Sequence, residues 1–321
     1  MKNSILNVYA KSSASPWLFD DLKAHFEKLN LVGVHITATE SPDVNANVWI
    51  AMRTSEASLS PDLERTVACI HDLYHHDGMY DPGGDRAIVK KVKGLVLSHP
   101  YQRDILSRSG ISISNKECLE RPLGALSAFS PGDEMPKKFT IAWVGKNYWR
   151  KRIDWFIEAL EGLELAKDQF QIMLLGMDVE APAQQLRSLG FDCVYYSKSE
   201  YPIETYPDLY RKMSCLVITG ITEAGPLTLF ESLASGNPVI ATKVGWAPFL
   251  ETEDDDAITL VDNPKEISKA LLYLYQNQEV LFRKRHSTNN LVSNWTLDGW
   301  VEQVALLATS LITKEKTTTL E

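Results

Sequence analysis

Short apolar segments alternate with amphipathic segments along the first part of this chain. Runs of four or five mostly apolar residues predict strands, and the segments between them predict helices. The predicted strands span 5–9, 32–36, 48–52, 67–70, 94–97 and a strand near 119, and the predicted helices span 17–29, 85–92 and 100–109. This alternation indicates a doubly wound parallel sheet.

A stretch over 124–138 that contains Pro131, Gly132 and Pro136 is typical of a linker between domains, and a second alternation follows it. The predicted strands of this second series span 139–145, 171–175, 192–196, 216–219, 238–242 and a strand near 258, and its predicted helices span 153–163, 182–189, 265–276, 280–292 and 295–312. We therefore expect an α/β protein with one Rossmann-like domain over residues 1–130 and another over 137–294.

The segment from Cys215 to Leu250 carries the most chemical information. It predicts a strand, a loop, a helix that opens at Pro226 and a second strand, which is a unit of the parallel-sheet kind. Glu223 lies in the loop at the carboxyl end of the first strand, and Glu231 lies one to two turns inside the helix. Ligands of open α/β sheets bind at this edge, so both acids are candidate ligand contacts.

The start of the same helix offers hydrogen-bond donors between the two acids. The peptide groups around Gly225, Leu227 and Thr228 lie at a helix N-terminus, where Pro226 suits the first turn. A helix N-terminus favours negative charge and binds phosphate oxygens. One loop is therefore suited to hold a hydroxyl-rich group and a phosphate together.

A group of cations follows another predicted strand. The strand over 141–144 ends in Gly145, and Lys146, Arg150, Lys151 and Arg152 come within the next seven residues. Cations at the carboxyl end of a strand, next to another strand end that carries N–H donors, suit a diphosphate. The alternative, a solvated basic helix start, is disfavoured because helix N-termini prefer acids.

Composition narrows the class of protein. The chain has 321 residues, of which 44% are hydrophobic and 23% charged, as in a soluble globular protein of two domains. The net charge of −9 argues against nucleic acid as the main partner. No apolar run is long enough to span a bilayer and the N-terminus lacks the apolar core of a signal peptide, which predicts a cytoplasmic location. Four dispersed cysteines are expected to be reduced core residues: Cys69, Cys118, Cys193 and Cys215.

The sequence EAGPLTLFESLASGNPVIAT resembles the Glu-x7-Glu signature of the retaining glycosyltransferases of the GT-B fold, family 4, with Glu223 and Glu231 as the two acids. The resemblance implies that Glu223 contacts the transferred sugar, that Glu231 binds the ribose hydroxyls of the nucleotide, and that the intervening amides meet the diphosphate. It also implies two Rossmann-like domains that face a cleft, with the helix over 295–312 crossing back to the first domain. The implied donor is a nucleoside-diphosphate sugar, and no cofactor or metal ion is implied.

The cations fit the same family with two departures. In that family a Gly-Arg pair followed by Lys-Gly contacts the diphosphate. Here Lys146 stands in place of the arginine, Lys151 matches the lysine, and Arg152 replaces the usual glycine. Lysine keeps the charge of arginine but loses its bidentate geometry. We rank Lys151 first and Lys146 second as partners of the diphosphate.

Three residues at strand ends complete the implied donor site. Tyr196 and Ser197 follow a strand at the place where the family's nucleotide base rests, and Gly176 ends the neighbouring strand in a similar way. An exposed loop looks the same in sequence, so that alternative stays open.

A His-Asp pair ends a strand of the first domain. His71 and Asp72 resemble the family's His-Asp, in which the histidine reaches toward the donor sugar. A metal site is the competing interpretation, since His71, His75, His76 and Asp77 are potential ligands. Ordinary loop histidines are a third. We rank the sugar contact above the ordinary loop and the metal site below both.

The first domain departs from the family at the loop over 12–16, where the family commonly has glycines and this chain has none. The departure concerns the acceptor side, because that loop usually shapes the acceptor site. A basic run, made up of Arg86, Lys90, Lys91 and Lys93, is suited to contact anionic lipid at a membrane surface, although such a run is more often a solvated helix face.

The hypothesis from the sequence is a retaining, metal-independent, hexosyltransferase-type glycosyltransferase. Its donor is a nucleotide sugar and its acceptor is a glycan, a glycolipid or a small molecule, as in polysaccharide assembly. Two alternatives are a nucleotide-sugar epimerase of the same fold and a non-catalytic module that binds a nucleotide sugar.

Overall fold

The computed structural model describes residues 4–11, 18–71, 86–164, 166–223, 225–250 and 256–318. The chain divides into two compact units, one formed by Met1–Leu123 with Leu297–Glu321 and the other by Gly124–Thr296. Each unit contains a six-stranded sheet with helices, and all of the strand pairs are parallel. The α/β class expected from the sequence is therefore confirmed.

The sheet of the first unit has the order β2-β1-β3-β4-β5-β6. Its strands are β1 (Ser4–Tyr9), β2 (Val34–Thr39), β3 (Val48–Ala51), β4 (Thr66–Ile70), β5 (Gly94–Leu97) and β6 (Glu117–Glu120). Its first four helices are α1 (Leu18–Lys28), α2 (Thr54–Ala57), α3 (Arg86–Lys91) and α4 (Tyr101–Arg108). Every residue of β3, β4 and β5 is buried, which explains why these strands are nearly continuous apolar runs in the sequence.

The sheet of the second unit has the order β12-β11-β10-β7-β8-β9. Its strands are β7 (Phe139–Lys146), β8 (Phe170–Met177), β9 (Asp192–Ser197), β10 (Cys215–Ile218), β11 (Val239–Thr242) and β12 (Ile258–Val261). Its helices are α5 (Ile153–Glu161), α6 (Glu180–Ser188), α7 (Tyr206–Tyr210), α8 (Leu227–Ala234), α9 (Pro264–Gln276) and α10 (Gln278–Asn290).

Both faces of the second sheet are covered by apolar side chains. Leu174 joins one cluster with Trp143 and Phe156, and Leu175 joins another with Tyr210 and Phe230. Successive residues of a strand point to opposite faces, so the two neighbouring leucines of β8 belong to different clusters. The sheet is thus a central layer, and its carboxyl edge is where its loops can form a site.

The last helix, α11 (Leu297–Thr318), belongs to the first unit. Trp300, Val304 and Ala308 recur every four residues on one face and are fully buried. The Trp300 ring meets the Phe26 ring edge to face, with centroids 6.1 Å apart. In the part of the chain that the structure describes, no helix is both long enough and apolar enough to cross a bilayer.

Some element ends differ from the sequence prediction. Strand β2 begins at Val34 because Gly33, with φ +76°, forms a turn that no strand residue adopts. Helix α2 is not predicted from the sequence, because four residues are too short to show a helical period. The last helix starts at Leu297 rather than 295 and continues to Thr318.

Residues 124–130 lie in the second unit, although the sequence places them in the first domain. The Phe129 ring packs at 90° to the Tyr210 ring with centroids 5.2 Å apart, and the Ala125 N–H donates to the Trp295 carbonyl at 3.1 Å. These contacts tie the start of the predicted linker to the second unit.

Candidate active site

Two loops at the carboxyl edge of the second sheet are bound to each other. One follows β7 and the other follows β10, and these strands are neighbours in the sheet. The Ile221 N–H donates to the Arg150 carbonyl at 2.9 Å, and Arg150 Nη1 donates to the Thr222 carbonyl at 3.2 Å. The cations and the first glutamate of the sequence analysis are therefore brought together by neighbouring strands.

Glu223 is the centre of this arrangement. Its Oε1 lies 2.6 Å from Lys151 Nζ and its Oε2 lies 3.3 Å from Arg150 Nη1, while its side chain is only 7% exposed. A Cβ on Gly220 would come within 3.1 Å of Glu223 Oε1, so glycine at that position leaves space for the carboxylate. A buried carboxylate requires compensating charge, which the two cations provide. Glu223 is therefore not an ordinary solvated loop charge.

Glycine at position 176 lets the backbones of β7 and β8 approach closely. A Cβ on Gly176 would lie 1.8 Å from the Gly145 carbonyl oxygen, whereas a Cβ on Gly145 would make an ordinary 3.7 Å contact with the Lys151 Cδ and Cε atoms. Gly176 has φ +142°, a conformation that side chains rarely adopt. Gly145, Gly176 and Ser197 are paired in register across β7, β8 and β9, so the three predicted strand-end positions lie side by side.

Arg152 lies in the left-handed region, with φ 49° and ψ 51°, directly before α5. The glycosyltransferase family that the sequence resembles usually has glycine at this position. The Arg152 guanidinium pairs with Asp154 at 2.9 Å and lies 4.5 Å from the centroid of the Trp155 ring. The loop thus keeps a glycine-like backbone with an arginine side chain held on its own helix.

Glu231 is buried in α8, only 8% exposed. The Tyr210 hydroxyl donates to Glu231 Oε2 at 2.6 Å. Burial raises the pKa of Glu231 to about 7, against the opposing effects of the Tyr210 hydrogen bond and the charge of Lys151. Burial of Tyr206, together with the negative charge of Glu231, raises the pKa of Tyr206 to about 12. The pKa of Glu231 therefore lies near neutral pH, unlike that of a glutamate on a solvated helix face.

The N-terminus of α8 begins at Leu227, one residue later than predicted, and Pro226 is the N-cap with φ −62° and ψ 116°. No side-chain hydrogen bond caps this end among the described residues. Gly225, Leu227 and Thr228 are half-buried, and the Leu229 N–H donates to the Pro226 carbonyl at 3.0 Å. The first turn of a helix has N–H groups without partners inside the helix, so this end is suited to an anion.

The other predicted donor contacts do not bond to Glu223. Lys146 ends β7 with an exposed side chain, and it forms no ion pair or hydrogen bond with a described residue. The Tyr196 ring meets the Tyr201 ring edge to face at 4.8 Å, and the Ser197 hydroxyl lies 2.9 Å from that of Ser199. Arg150, rather than Lys146, is the second cation on Glu223.

His71 follows β4 in the first unit. Its Nδ1 lies 3.2 Å from the Ser98 hydroxyl, and its ring centroid lies 6.2 Å from that of Trp300. Asp72, His75, His76 and Asp77 lie outside the described residues, as does the loop over 12–16. Among the described residues there is no group of three or more side chains with metal-ligand chemistry.

Three residues of the site were not identified from the sequence. Tyr210 bonds Glu231, and Trp143 and Thr219 form a buried hydrogen bond of 3.1 Å below the Lys151 loop. Tyr210 ends a short helix, and Thr219 is one residue past a strand, where a small polar residue is common. These three residues could not be found from the sequence because their hydrogen bonds join distant parts of the chain.

Part of the second unit matches a known protein family. Residues 138–277 match the family model described as "Glycosyl transferases group 1". A lipopolysaccharide 1,6-galactosyltransferase of Escherichia coli (strain K12) is 28% identical over 153 residues, a match that covers 46% of this chain and 42% of that protein. The matched stretch thus spans less than half the length of the relative.

Solved structures resemble almost the whole chain. Sucrose-phosphate synthase from Thermosynechococcus elongatus has a TM-score of 0.77 at 14% identity, covering 97% of this chain and 100% of that one. Anabaena Alr3699/HepE in complex with UDP-glucose has a TM-score of 0.73 at 12% identity, covering 96% and 99%. Residues 138–277 therefore match a glycosyl transferases group 1 domain, and the chain has the α/β, two-domain fold of its GT-B glycosyltransferase neighbours.

Proposed function

We propose that this chain is a retaining glycosyltransferase that moves a hexose from a nucleoside-diphosphate sugar to an acceptor hydroxyl. The observation that carries the proposal is the buried cluster of Glu223, Lys151 and Arg150 in the loops next to the N-terminus of α8. Two cations share one carboxylate, so the cluster has a surplus positive charge. A departing diphosphate is the charge that such a cluster would neutralise.

Each group in the cluster has a role in this proposal. Lys151, Arg150 and the N–H groups of Leu227 and Thr228 bind the diphosphate, with Lys146 at its exposed side. Glu223 orients the transferred sugar. The step breaks the bond between the anomeric carbon and the diphosphate oxygen and forms a bond to the acceptor oxygen on the same face. The leaving phosphate oxygen accepts the proton of the acceptor hydroxyl, so no metal ion or carboxylate nucleophile is needed.

Glu231 supplies the nucleotide contact. Its carboxylate accepts hydrogen bonds from the ribose hydroxyls, while Tyr210 holds its other oxygen at 2.6 Å. Gly176, Tyr196 and Ser197 border the base. The UDP-glucose bound by Alr3699/HepE and the lipopolysaccharide named in the Escherichia coli relative support a nucleotide-sugar donor and a glycolipid acceptor. A cytoplasmic location with membrane contact suits such an acceptor.

The proposal is tested first by thermal unfolding with a panel of nucleoside diphosphates and nucleotide sugars. A ligand that binds only the folded state raises the melting temperature. One nucleotide sugar should stabilise the wild type but not Glu231→Ala. The control Glu158→Ala changes an exposed glutamate of α5 and should respond like the wild type.

Product analysis with the selected donor then separates the reactions. Transfer releases nucleoside diphosphate in proportion to added acceptor, and a chelator should leave the rate unchanged. A change in the sugar without release of diphosphate would identify an epimerase. Stabilisation without any product, over a broad panel of glycan and glycolipid acceptors, would identify a binding module.

A further inference from the structure

A buried hydrogen-bond chain runs from the core of the second unit to the loop that carries Lys151. Trp143 Nε1 donates to Thr219 Oγ1 at 3.1 Å, and Thr219 Oγ1 donates to the Lys151 carbonyl at 2.6 Å. Trp143 is 2% exposed and Thr219 1% exposed, so neither group exchanges this bond for water. A side chain of β7 is thereby connected, through the residue after β10, to the backbone of the Lys151 loop.

The chemistry of the donors fixes the direction of this chain. An indole N–H can only donate, so the Thr219 oxygen must accept from it. A carbonyl oxygen can only accept, so the remaining proton of Thr219 must point to Lys151. The hydroxyl is therefore held in one orientation by a tryptophan packed in the core cluster. Serine could take the same role, whereas valine, of similar shape, could not.

The chain has a direct effect on the position of the Lys151 ammonium. The Lys151 N–H donates to the Tyr148 carbonyl at 2.8 Å and its carbonyl accepts from Thr219, so both backbone polar groups of the residue are engaged. The side-chain stem then passes Gly145 and ends 2.6 Å from Glu223 Oε1. The next residue, Arg152, is in the left-handed conformation, so a released carbonyl would allow this loop to relax.

We propose that Thr219 is a positioning residue that sets the ammonium of Lys151 on Glu223, with Trp143 as its orienting partner. The positioning is independent of any ligand, and its consequence for turnover rests on the proposed function. Thr219 itself touches no substrate in this proposal. It acts through the Lys151 backbone.

The test compares Thr219→Val, Thr219→Ser and the control Thr140→Val. Thr140 is 3% exposed and its hydroxyl donates to the Lys138 carbonyl at 3.1 Å, at the opposite end of β7. Thr140→Val therefore removes a buried hydroxyl-to-carbonyl bond in the strand next to β10 without touching the site. Thr219→Ala replaces Thr219→Val in the same comparison if the valine variant does not fold.

The first measurement is the rate at which an N-hydroxysuccinimide acetate acetylates Lys151, followed by mass spectrometry, with the exposed Lys146 as internal reference. Lys151 is 19% exposed and ion-paired, so it should react slowly in the wild type. We expect Thr219→Val to accelerate the acetylation of Lys151 about 3- to 10-fold, the effect of losing one hydrogen bond. The rates in Thr219→Ser and Thr140→Val should stay within about 2-fold of the wild-type rate. An unchanged rate in Thr219→Val would overturn the proposal.

The second measurement is UDP binding and the turnover of the selected donor. Thr219→Val should weaken UDP binding about 10-fold, with recovery in Thr219→Ser, because a shifted ammonium meets the diphosphate poorly. If the wild type binds no nucleoside diphosphate, the proposed function fails while acetylation still decides the positioning role. Equal losses in Thr219→Val and Thr140→Val would show a general effect on stability and would overturn the assignment of Thr219.

Discussion

Each of the two sheets buries a glutamate at its carboxyl edge, and the two glutamates are held in different ways. In the first unit, Glu56 Oε1 lies 2.6 Å from Arg53 Nη1 and accepts from the Lys11 N–H at 3.0 Å. Arg53 and Glu56 are three residues apart around the short helix α2. In the second unit, Glu223 meets Lys151 and Arg150, which come from the loop of another strand.

The difference lies in charge and in sequence separation. One arginine balances Glu56, and the contact closes a local turn. Two cations face Glu223, so a positive charge remains next to the N-terminus of α8. A local, balanced pair stabilises a loop, whereas a pair assembled from distant loops with surplus charge is prepared for an anion. The proposed site is therefore built around Glu223 and not around Glu56.

The largest effect is expected for Glu223→Gln. Glutamine cannot orient the sugar with a charge, so transfer should fall about 10²- to 10³-fold, the cost of removing one preorganised electrostatic contact. UDP should bind more tightly than to the wild type, because Lys151 and Arg150 no longer share a carboxylate. Steady-state rates and titration calorimetry measure the two effects.

Glu56→Gln is the matched control for this comparison. It changes a buried, ion-paired glutamate of the other sheet, so it should lower the melting temperature and leave UDP affinity unchanged. Weaker UDP binding in Glu223→Gln, or tighter binding in both variants, would contradict the contrast between the two edges.

Lys151→Ala should reduce turnover by about 2 to 4 kcal/mol of transition-state stabilisation. Its ammonium lies 2.6 Å from Glu223 Oε1 and its charge lowers the pKa of Glu231. Lys146→Ala should have a smaller effect, because the Lys146 side chain is exposed at the end of β7. Kinetics of both variants with one donor test whether Lys151 contributes more than Lys146. Equal losses of turnover would show that the positive charge at this edge matters but the position of the lysine does not.

Stability should depend on pH through Glu231. Its pKa is raised from 4.5 to about 7, so folding favours the protonated form. The contribution is fully present below about pH 4.5 and is lost as the pH rises through 7, by about 3 kcal/mol in total. Glu231→Gln should therefore gain stability relative to the wild type between pH 5 and pH 8, as measured by urea unfolding.

Ionisation of Glu231 should also change the affinity for UDP. The ionised carboxylate is the better acceptor for ribose hydroxyls, so UDP affinity of the wild type should rise between pH 6 and pH 8 more than that of Glu231→Gln. Because UDP itself titrates equally in both experiments, its contribution cancels when the pH dependences of the wild type and Glu231→Gln are compared. Parallel curves would mean that Glu231 supports the fold through Tyr210 without contacting the nucleotide.

Most of the fold follows from the sequence because parallel strands buried on both faces are short apolar runs. The twelve strands of the described residues are found where such runs occur, and their ends differ from the predicted ones by up to three residues, as at the turn formed by Gly33. Residues 124–130 have the composition of a linker, and only the packing of Phe129 on Tyr210 shows that they belong to the second unit.

The site is predictable to the extent that its residues follow strands. Glu223, Glu231 and Lys151 all lie in or next to the loops at the carboxyl edge, as their sequence positions indicate. The pairing of Arg150 with Glu223 depends on a turn of the 148–151 backbone, which the sequence does not specify. The pKa of Glu231 likewise depends on burial against a distant tyrosine.

The smallest effect is expected at Arg152, where the loop has a glycine-like backbone. A left-handed residue other than glycine costs about 1 to 2 kcal/mol, which Arg152→Gly would remove. Glycine would also lose the half-exposed pair with Asp154 and the contact with the Trp155 ring, each worth at most about 1 kcal/mol, and would make the unfolded chain more flexible.

Because these terms oppose each other, Arg152→Gly should change the free energy of unfolding by less than about 1 kcal/mol and leave UDP affinity unchanged. Arg152→Val is the informative partner, since a β-branched side chain is strained in this conformation and would disturb the neighbouring Lys151. It should lower both stability and UDP affinity. If Arg152→Gly instead weakens UDP binding about 10-fold, the guanidinium itself meets the diphosphate, and the surplus charge at this edge is larger than the pairs on Glu223 indicate.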